Sequence, residues 1–252
     1  MKENFKFSIL NLAFCIFLGC ASSEPNVEMI QKSEAYYKIG VSSFNEGKVQ
    51  QAFVEFQKAI EINPRNKESH NGLGQIYDSQ GKFQLAIDSY KTAVLIDPNF
   101  SEAHNNLGVV YGKLKRWDEA IAEYRNALKN PLYRFPDAAY LNLGYALYNK
   151  GEILQAIGAY KEALIIRPNF ERANYYLGLA YVALGKIKES IDEFRQAIKI
   201  FPNYSDAHYD LALAYVKAGD KENAIKHFKK VIELSPDSEN ASASKKYIDI
   251  LK

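Results

Sequence analysis

The chain has 252 residues, of which 47% are hydrophobic and 25% charged, as is ordinary for a globular domain. Its formal net charge is only +2, and its lysines and glutamates are interspersed, so no long-range field favours nucleic acid or an anionic membrane as a partner. The only cysteines are Cys15 and Cys20, which excludes a cysteine zinc site, a disulfide framework and a thiol nucleophile from the chain beyond residue 20.

The first residues predict a secretory signal. Lys2 and Lys6 precede an apolar run of twelve residues from Phe7 to Leu18. A helix needs about twenty residues to cross a hydrocarbon core about 30 Å thick, so this run is too short to span a bilayer and is typical of a signal h-region. A short buried helix is the alternative.

The segment Phe17–Cys20 resembles the lipobox of bacterial lipoproteins, although phenylalanine stands where leucine is usual three residues before the cysteine. The resemblance implies a signal peptide over 1–19 and lipidation of Cys20, including palmitate, and several acyl chains together anchor a protein stably. Ala21 follows the cysteine, which implies sorting to the outer membrane with the protein facing the periplasm. Residues 20–32 then form a lipidated tether, since the stretch after Cys20 begins with small and polar residues.

A glycine-centred motif recurs through the rest of the chain, with spacings of 34, 34, 36, 34 and 34 residues. The motif residues are Gly40, Gly74, Gly108, Gly144, Gly178 and Ala212. A second glycine follows seven residues later in five of the six copies, and an aromatic residue lies on the second predicted helix of every copy. We expect the small residue to let the helices approach closely, the second glycine to end the first helix in a left-handed cap, and a closing proline to open the next first helix.

This pattern resembles the tetratricopeptide repeat (TPR), whose period is 34 residues. The resemblance implies an all-α fold, a right-handed superhelical solenoid of six helix-turn-helix repeats over 33–236 with a C-terminal capping helix over 239–252. The approximate repeats are 33–66, 67–100, 101–136, 137–170, 171–204 and 205–238. His70, His104 and His208 share one repeat position and are expected to pack structurally, whereas His227 is expected on the surface.

The 36-residue spacing inserts two residues between the third and fourth repeats, in a stretch with Pro131 and Pro136. Either Leu132, Tyr133 and Phe135 cover the adjoining helices, or the stretch is a binding loop. The segment Asn130–Tyr133, followed by Pro136 and then by Ala139, Tyr140, Asn142 and Gly144, resembles the type IV pilus biogenesis lipoproteins called pilotins, which assist secretin assembly. It departs from them at Arg134 and Phe135.

TPR superhelices bind partners mainly on the concave side, which the first helices line. The repeat register makes this side polar in repeats two and three, with Asn71, Gln75, Asp78 and Asn105. In repeats four to six it becomes apolar and rich in tyrosine, which is typical of a partner site. The predicted partner-binding residues are Leu141, Tyr145, Tyr148, Tyr175, Leu179, Val182, Tyr209, Leu213 and Val216. Tyr37, Val41 and Phe44 form a smaller candidate, and a cationic carboxylate clamp is not evident.

No motif in the sequence predicts a catalytic residue, a cofactor, a metal site or a small-molecule substrate. We therefore expect a non-enzymatic scaffold that binds a protein partner in its groove, with the membrane contacted through its lipid and with a pilus secretin as the specific partner. The alternative is a generic adaptor lipoprotein for another complex of the cell envelope.

Overall fold

The computed structural model describes residues 26–252, so the predicted signal peptide, Cys20 and the first part of the predicted tether lie outside the described residues. Within this range the chain forms thirteen α-helices and no β-strand. The helices are α1 (Val27–Asn45), α2 (Val49–Ile62), α3 (Lys67–Ser79), α4 (Phe83–Ile96), α5 (Ser101–Lys113), α6 (Trp117–Leu128), α7 (Pro136–Lys150), α8 (Ile153–Ile166), α9 (Glu171–Ala183), α10 (Ile187–Ile200), α11 (Ser205–Ala218), α12 (Lys221–Leu234) and α13 (Glu239–Leu251). None of these thirteen helices is long and apolar enough to cross a bilayer.

The helices stack as a solenoid of six pairs followed by one further helix. Each helix packs on its neighbours in the chain, and every odd-numbered helix also contacts the next odd-numbered one. Between residues 26 and 252 the backbones of the even-numbered helices do not approach one another, and α6 and α8 are linked by a hydrogen bond from the Arg125 guanidinium to Gln155 Oε1 at 3.0 Å. The odd-numbered helices therefore lie on the inner, concave side, and α13 takes the place of a seventh first helix against α11 and α12.

Each pair is locked by an aromatic ring of the second helix lying against the motif residue of the first. The rings of Phe56, Tyr90, Tyr124, Tyr160, Phe194 and Phe228 are all buried. A Cβ atom built on any of the five motif glycines would lie only 2.5 to 2.7 Å from the nearest ring carbon. This confirms the predicted close approach of the two helices.

The turn inside each pair also follows the prediction. The second glycine has a positive φ in all five repeats that carry it, as in Gly151 at 91°. The third repeat has Lys115 at this place, and its φ is 57°. Since a side chain in this left-handed region costs roughly 1–2 kcal/mol, Lys115 is the strained exception in the array.

The sequence pattern predicts that each closing proline opens the next helix, and for five of the repeats this prediction is wrong. In five repeats the proline lies in the turn, three residues before the next helix begins, as with Pro64 before Lys67. The residue before such a proline is excluded from the helical region, so Asn63 adopts an extended conformation and α2 ends. Among the prolines that the structure describes, only Pro136 begins a helix, at the start of α7.

Helix α1 begins at Val27, inside the range predicted as a tether. The Asn26 side chain caps it by accepting a hydrogen bond from the Met29 N–H at 2.9 Å. No glycine or proline interrupts the chain between residues 26 and 39, so the helix extends six residues beyond the repeat frame that starts at Ser33. The tether prediction is therefore wrong for residues 27–32.

Candidate binding groove

Three of the cavities lined by residues 26–252 lie in succession along the concave side, and we name them by their order along the solenoid. The front cavity, about 740 Å³, lies between α1, α3, α5 and the loop before α7. The middle cavity, about 480 Å³, lies among α5, α6, α7 and α9. The back cavity, about 230 Å³, lies among α9, α11 and α13. Together they form a groove that follows the first helices of the repeats.

The front cavity is polar on its floor and apolar at one end. Its floor carries asparagines joined in pairs between neighbouring repeats: the Asn106 side-chain amide donates to Asn71 Oδ1 at 3.0 Å, and the Asn142 amide donates to Asn105 Oδ1 at 3.2 Å. Its apolar end is formed by Tyr37, Val41 and Phe44, and its carboxylates are Glu68 and Glu102. Asp78, also predicted in the polar floor, is paired with Lys113 Nζ at 2.7 Å.

The irregular joint, residues 130–136 between the third and fourth repeats, both covers the adjoining helices and lines the groove, so the two alternatives that the sequence left open both apply. Tyr133 is buried against Ala127 and Ala139, so it covers the adjoining helices. Phe135 is half exposed, and it lines the front cavity together with Arg134. Leu132 is 88% exposed and covers nothing in the described part of the chain. The loop thus closes one wall of the groove through Phe135 while Tyr133 holds it in place.

The middle cavity joins aromatic walls to basic side chains. Trp117 packs edge-on against Tyr145 with ring centroids 6.3 Å apart, and Tyr145 packs edge-on against Tyr176 at 5.4 Å. The basic residues at its rim are Lys113, Lys115 and Arg172. The sequence-based prediction missed these basic residues, because it looked for cations only at the positions of the carboxylate clamp known from other TPR proteins. Lys115, a lysine where the other repeats have a helix-ending glycine, was the feature of the sequence that could have indicated them.

The predicted partner-binding residues do not form one uniform exposed strip. Leu141 is only 3% exposed and packs in the core cluster, but it also lines the middle cavity, so it is part of the cavity wall and not of an exposed strip. Tyr145 is 43% exposed and stands free in the middle cavity. The other predicted residues are half-buried: Tyr148, Tyr175, Leu179, Val182, Tyr209, Leu213 and Val216.

Helix α13 narrows the back cavity. Tyr247 stacks on Phe228 with ring centroids 5.0 Å apart and borders the cavity opposite Leu179 and Val182. Tyr209, Leu213 and Val216 pack in the same cluster as Ile248 and Leu251. The capping helix therefore covers part of the apolar strip, and the open remainder lies between α9 and α11.

A tyrosine–aspartate pair lies between α9 and α11 at the edge of the back cavity. The Tyr175 hydroxyl donates to Asp210 Oδ2 at 2.8 Å. Burial raises the pKa of Asp210 to about 6, although the hydrogen bond from Tyr175 opposes the shift. The same burial and the nearby carboxylate raise the pKa of Tyr175, so the tyrosine stays protonated and remains a donor.

Comparisons with known proteins agree with this architecture. Sequence profiles of the tetratricopeptide repeat match residues 33–66, 55–88, 105–169 and 205–238, and a further TPR profile matches 74–115 and 178–219. The chain is a tetratricopeptide repeat protein. A search of curated protein sequences found no significant match.

Among solved structures, this TPR protein is similar to PilF of Pseudomonas aeruginosa, with 19% identity and a TM-score of 0.78, over 87% of this chain and 99% of that one. It is similar to PilW, described as a widely conserved type IV pilus biogenesis factor, with 22% identity and a TM-score of 0.77, over 84% and 98% of the two chains. It is also similar to YrrB, described as a TPR protein with an unusual peptide-binding site, with 23% identity and a TM-score of 0.63, over 76% and 97%. The predicted fold class and the resemblance to pilus biogenesis factors are confirmed, and the fold is that of a scaffold for protein–protein interaction.

The three histidines that share a position in the TPR frame also share a contact. In each, ring Nε2 lies 3.0 Å from the carbonyl oxygen of the proline that closes the preceding repeat, as His104 does with Pro98. A carbonyl only accepts, so Nε2 carries the proton and donates. The position therefore ties each first helix to the turn before it, which is a structural use of histidine.

His104 and His208 differ in their second ring nitrogen. His104 Nδ1 lies 2.6 Å from Glu123 Oε2; burial alone would lower the pKa of His104, but the hydrogen bond to this carboxylate raises it above its ordinary value. His208 Nδ1 lies 2.8 Å from His227 Nδ1. Since His208 Nε2 donates to Pro202, neutral His208 accepts at Nδ1 and His227 donates. His227 is thus a half-buried partner of His208, and the prediction that it is an isolated surface residue is wrong.

The His208–His227 pair is expected to make the last repeat less stable in acid. Burial lowers the pKa of His227 to about 4, with further contributions from the neighbouring His208, Lys226 and Arg195, and burial also lowers the pKa of His208. The unfolded chain takes up these protons near pH 6.5 while the folded chain does not, so stability is complete above pH 6.5 and falls as the pH drops toward 4. We expect a loss of about 1 kcal/mol between pH 7.5 and pH 5 from His227, after allowance for solvent screening.

Urea unfolding of residues 26–252 at the two pH values measures this loss. His227→Asn keeps an amide donor for His208 but does not titrate, so the pH dependence should shrink. His104→Asn is the matched control of opposite sign, because the raised pKa of His104 stabilises the fold below pH 6.5 and this stabilisation disappears as the pH rises through the folded pKa. An unchanged acid loss in His227→Asn would contradict the assignment.

Proposed function

We propose that the mature protein is an outer-membrane-anchored scaffold that faces the periplasm and helps a type IV pilus secretin to reach or assemble in the outer membrane. The observation that carries the proposal is the end-to-end similarity to PilW, 98% of whose chain is covered. The lipobox-like segment Phe17–Cys20 supports the anchor, and the groove with its three cavities supports a role in gripping a polypeptide.

The mechanism follows from the arrangement of the parts. Lipid on Cys20 would hold the first repeat near the membrane, since only a short stretch separates Cys20 from α1. The groove would then face a partner arriving from the periplasm and hold an extended segment of it along the first helices. A stable solenoid suits this role, because its groove is largely pre-formed and little conformational entropy is lost on binding.

The Cys20→Ser variant tests the anchor and the role together. In cells that carry it in place of the wild type, labelled palmitate should no longer enter the protein, and the protein should leave the outer-membrane fraction of a density gradient. Secretin multimers in the outer membrane should fall in parallel. Cys15→Ser is the matched control, because it removes the other cysteine and leaves Phe17–Cys20 intact. Normal secretin multimers beside a mislocalised Cys20→Ser protein would overturn the pilus role.

The second candidate is a generic adaptor for another envelope complex. The observation that favours it is the sequence identity to YrrB, which at 23% is no lower than the identity to the two pilus proteins, although the TM-score of 0.63 is lower than theirs. Residues 26–252 used as bait in an envelope extract separate the candidates. Recovery of another envelope complex with no secretin would favour the adaptor.

A further inference from the structure

We propose that the middle cavity is an acidic-residue subsite, in which Lys115 and Arg172 bind an aspartate or glutamate side chain of an extended partner segment. The proposal rests on the protein-binding part of the proposed function and is independent of the secretin and of the lipid. It deepens that function by stating which chemistry the partner presents at the centre of the groove.

The first observation is that both cations lack a counter-charge. Lys113 is held by Asp78 at 2.7 Å, but no carboxylate within residues 26–252 lies within 4.0 Å of the Lys115 or Arg172 side chain. None of the residues that line the middle cavity is acidic. Both cations are exposed and line one cavity, so a carboxylate bound there would supply the missing counter-charge and gain charge-assisted hydrogen bonds.

The second observation is the backbone of Lys115. Five repeats place glycine at this left-handed position, but the third repeat places a lysine there with φ 57°. A lysine in this conformation is less stable than glycine, so the fold itself does not explain it. The turn directs the residue to the rim of the middle cavity, where its charge has a use in binding.

The third observation is the surroundings of the two cations. Trp117, Tyr145 and Tyr176 form the walls, which lower the local dielectric and strengthen a bound ion pair. The Asn142 side-chain amide is used by Asn105, which leaves its Oδ1 available to accept a backbone N–H from a bound segment. The cavity therefore suits an acidic side chain carried on a polypeptide.

The groove continues past the middle cavity in both directions, which favours an internal segment over a chain terminus. On one side the front cavity offers Glu102 and Glu68, of which Glu68 lies 3.7 Å from Lys67 Nζ. Arg134 is the cation in the same lining, so the carboxylates are in excess and suit a lysine or arginine. On the other the back cavity offers Leu179, Val182 and Leu213, which suit an apolar side chain. The two glutamates would repel a nucleic acid or another polyanion, so the mixed charge of the groove indicates a segment with basic, acidic and apolar residues in that order along the groove.

The test is a selection of internally displayed random 12-residue peptides on immobilised residues 26–252. Selected peptides should be enriched in aspartate or glutamate with an apolar neighbour. Made as acetylated and amidated peptides, they should bind the Lys115→Gly/Arg172→Gln variant at least tenfold more weakly, and replacing their acidic residue with the amide should weaken binding to the wild type equally. The two changes together should add little further loss, because both remove the same ion pair.

Lys188→Gln/Lys229→Gln is the matched control, because it removes two exposed lysines of α10 and α12 that border none of the three cavities. It should bind the peptides as the wild type does. Lys115→Gly removes the backbone strain of a lysine with positive φ, so it should raise the melting temperature of the protein while it weakens peptide binding. Unfolding of the variant then cannot explain the loss of binding. Selected peptides without acidic enrichment, no selected peptide at all, or tighter binding of a 12-nucleotide single-stranded DNA at the same residues would each overturn the proposal. If the selected peptides are enriched in acidic residues but the protein does not bind a secretin, the acidic-residue subsite is supported and only the proposed secretin partner is contradicted.

Discussion

Phe194→Ala is expected to lower the free energy of unfolding by about 3–5 kcal/mol, the range for removing a fully buried phenylalanine. The ring is completely buried in α10, where it packs against Gly178 of its own repeat and against Leu211 and Ala214 of the next. Its loss therefore weakens both the pairing of α9 with α10 and the interface with α11. Because each repeat contacts only its neighbours, the array should divide at this point.

Phe228→Ala is the matched variant at the end of the array. Phe228 is equally buried, and in the described residues its repeat is followed by α13, whose Tyr247 stacks against it. Urea unfolding followed by circular dichroism measures the loss in each variant, and hydrogen exchange with mass spectrometry locates it. Phe194→Ala should increase exchange from α9 to α13, whereas Phe228→Ala should increase it only from α11 to α13. Increased exchange throughout residues 26–252 in Phe228→Ala would show that coupling extends beyond neighbouring repeats.

The repeat frame could be predicted from the sequence because it depends on local chemistry. The close approach at Gly144 needs a residue without a side chain, and the cap at Gly151 needs one that tolerates positive φ. Both needs recur every 34 residues and so leave a periodic pattern. The capping helix was predictable for the same reason, since Ile248 supplies its buried face and Lys245 its exposed one.

The composition of the groove was harder to predict because it depends on contacts between repeats. Lys113 reaches Asp78 and Tyr175 reaches Asp210, each across 35 residues of sequence. Such pairs depend on the twist between successive repeats, which the 34-residue period does not specify. The low exposure of Leu141 likewise depends on its packing in a core cluster that joins several repeats.

The groove that results is graded along its length. The front cavity carries Glu68 and Glu102 together with Arg134, the middle cavity carries Lys115 and Arg172 without a counter-charge, and the back cavity is mostly apolar with Asp210 and Lys217 in its lining. A homogeneous apolar strip would bind many segments with little discrimination, whereas alternating charges favour one register and one direction of a bound segment. The expected polar-to-apolar transition at the joint is thus refined to three zones of different chemistry.

Gly144→Val is expected to lower the free energy of unfolding by about 2–3 kcal/mol, because it overpacks the contact between α7 and α8. A Cβ at Gly144 would lie 2.5 Å from Cε1 of Tyr160, whose ring is completely buried and has no free volume to enter. The sixth repeat carries Ala212 in this place, so one methyl group can be accommodated, but valine adds two more carbons on a branched Cβ.

Gly158→Ala in the same repeat gives the opposite result: no atom lies within 4 Å of its added Cβ, and alanine in an exposed helix interior should stabilise by about 0.5–1 kcal/mol. Urea unfolding of both variants measures whether each substitution lowers or raises the free energy of unfolding. Equal effects would mean that helix propensity, rather than the fit of Tyr160 against Gly144, sets the stability of the repeat.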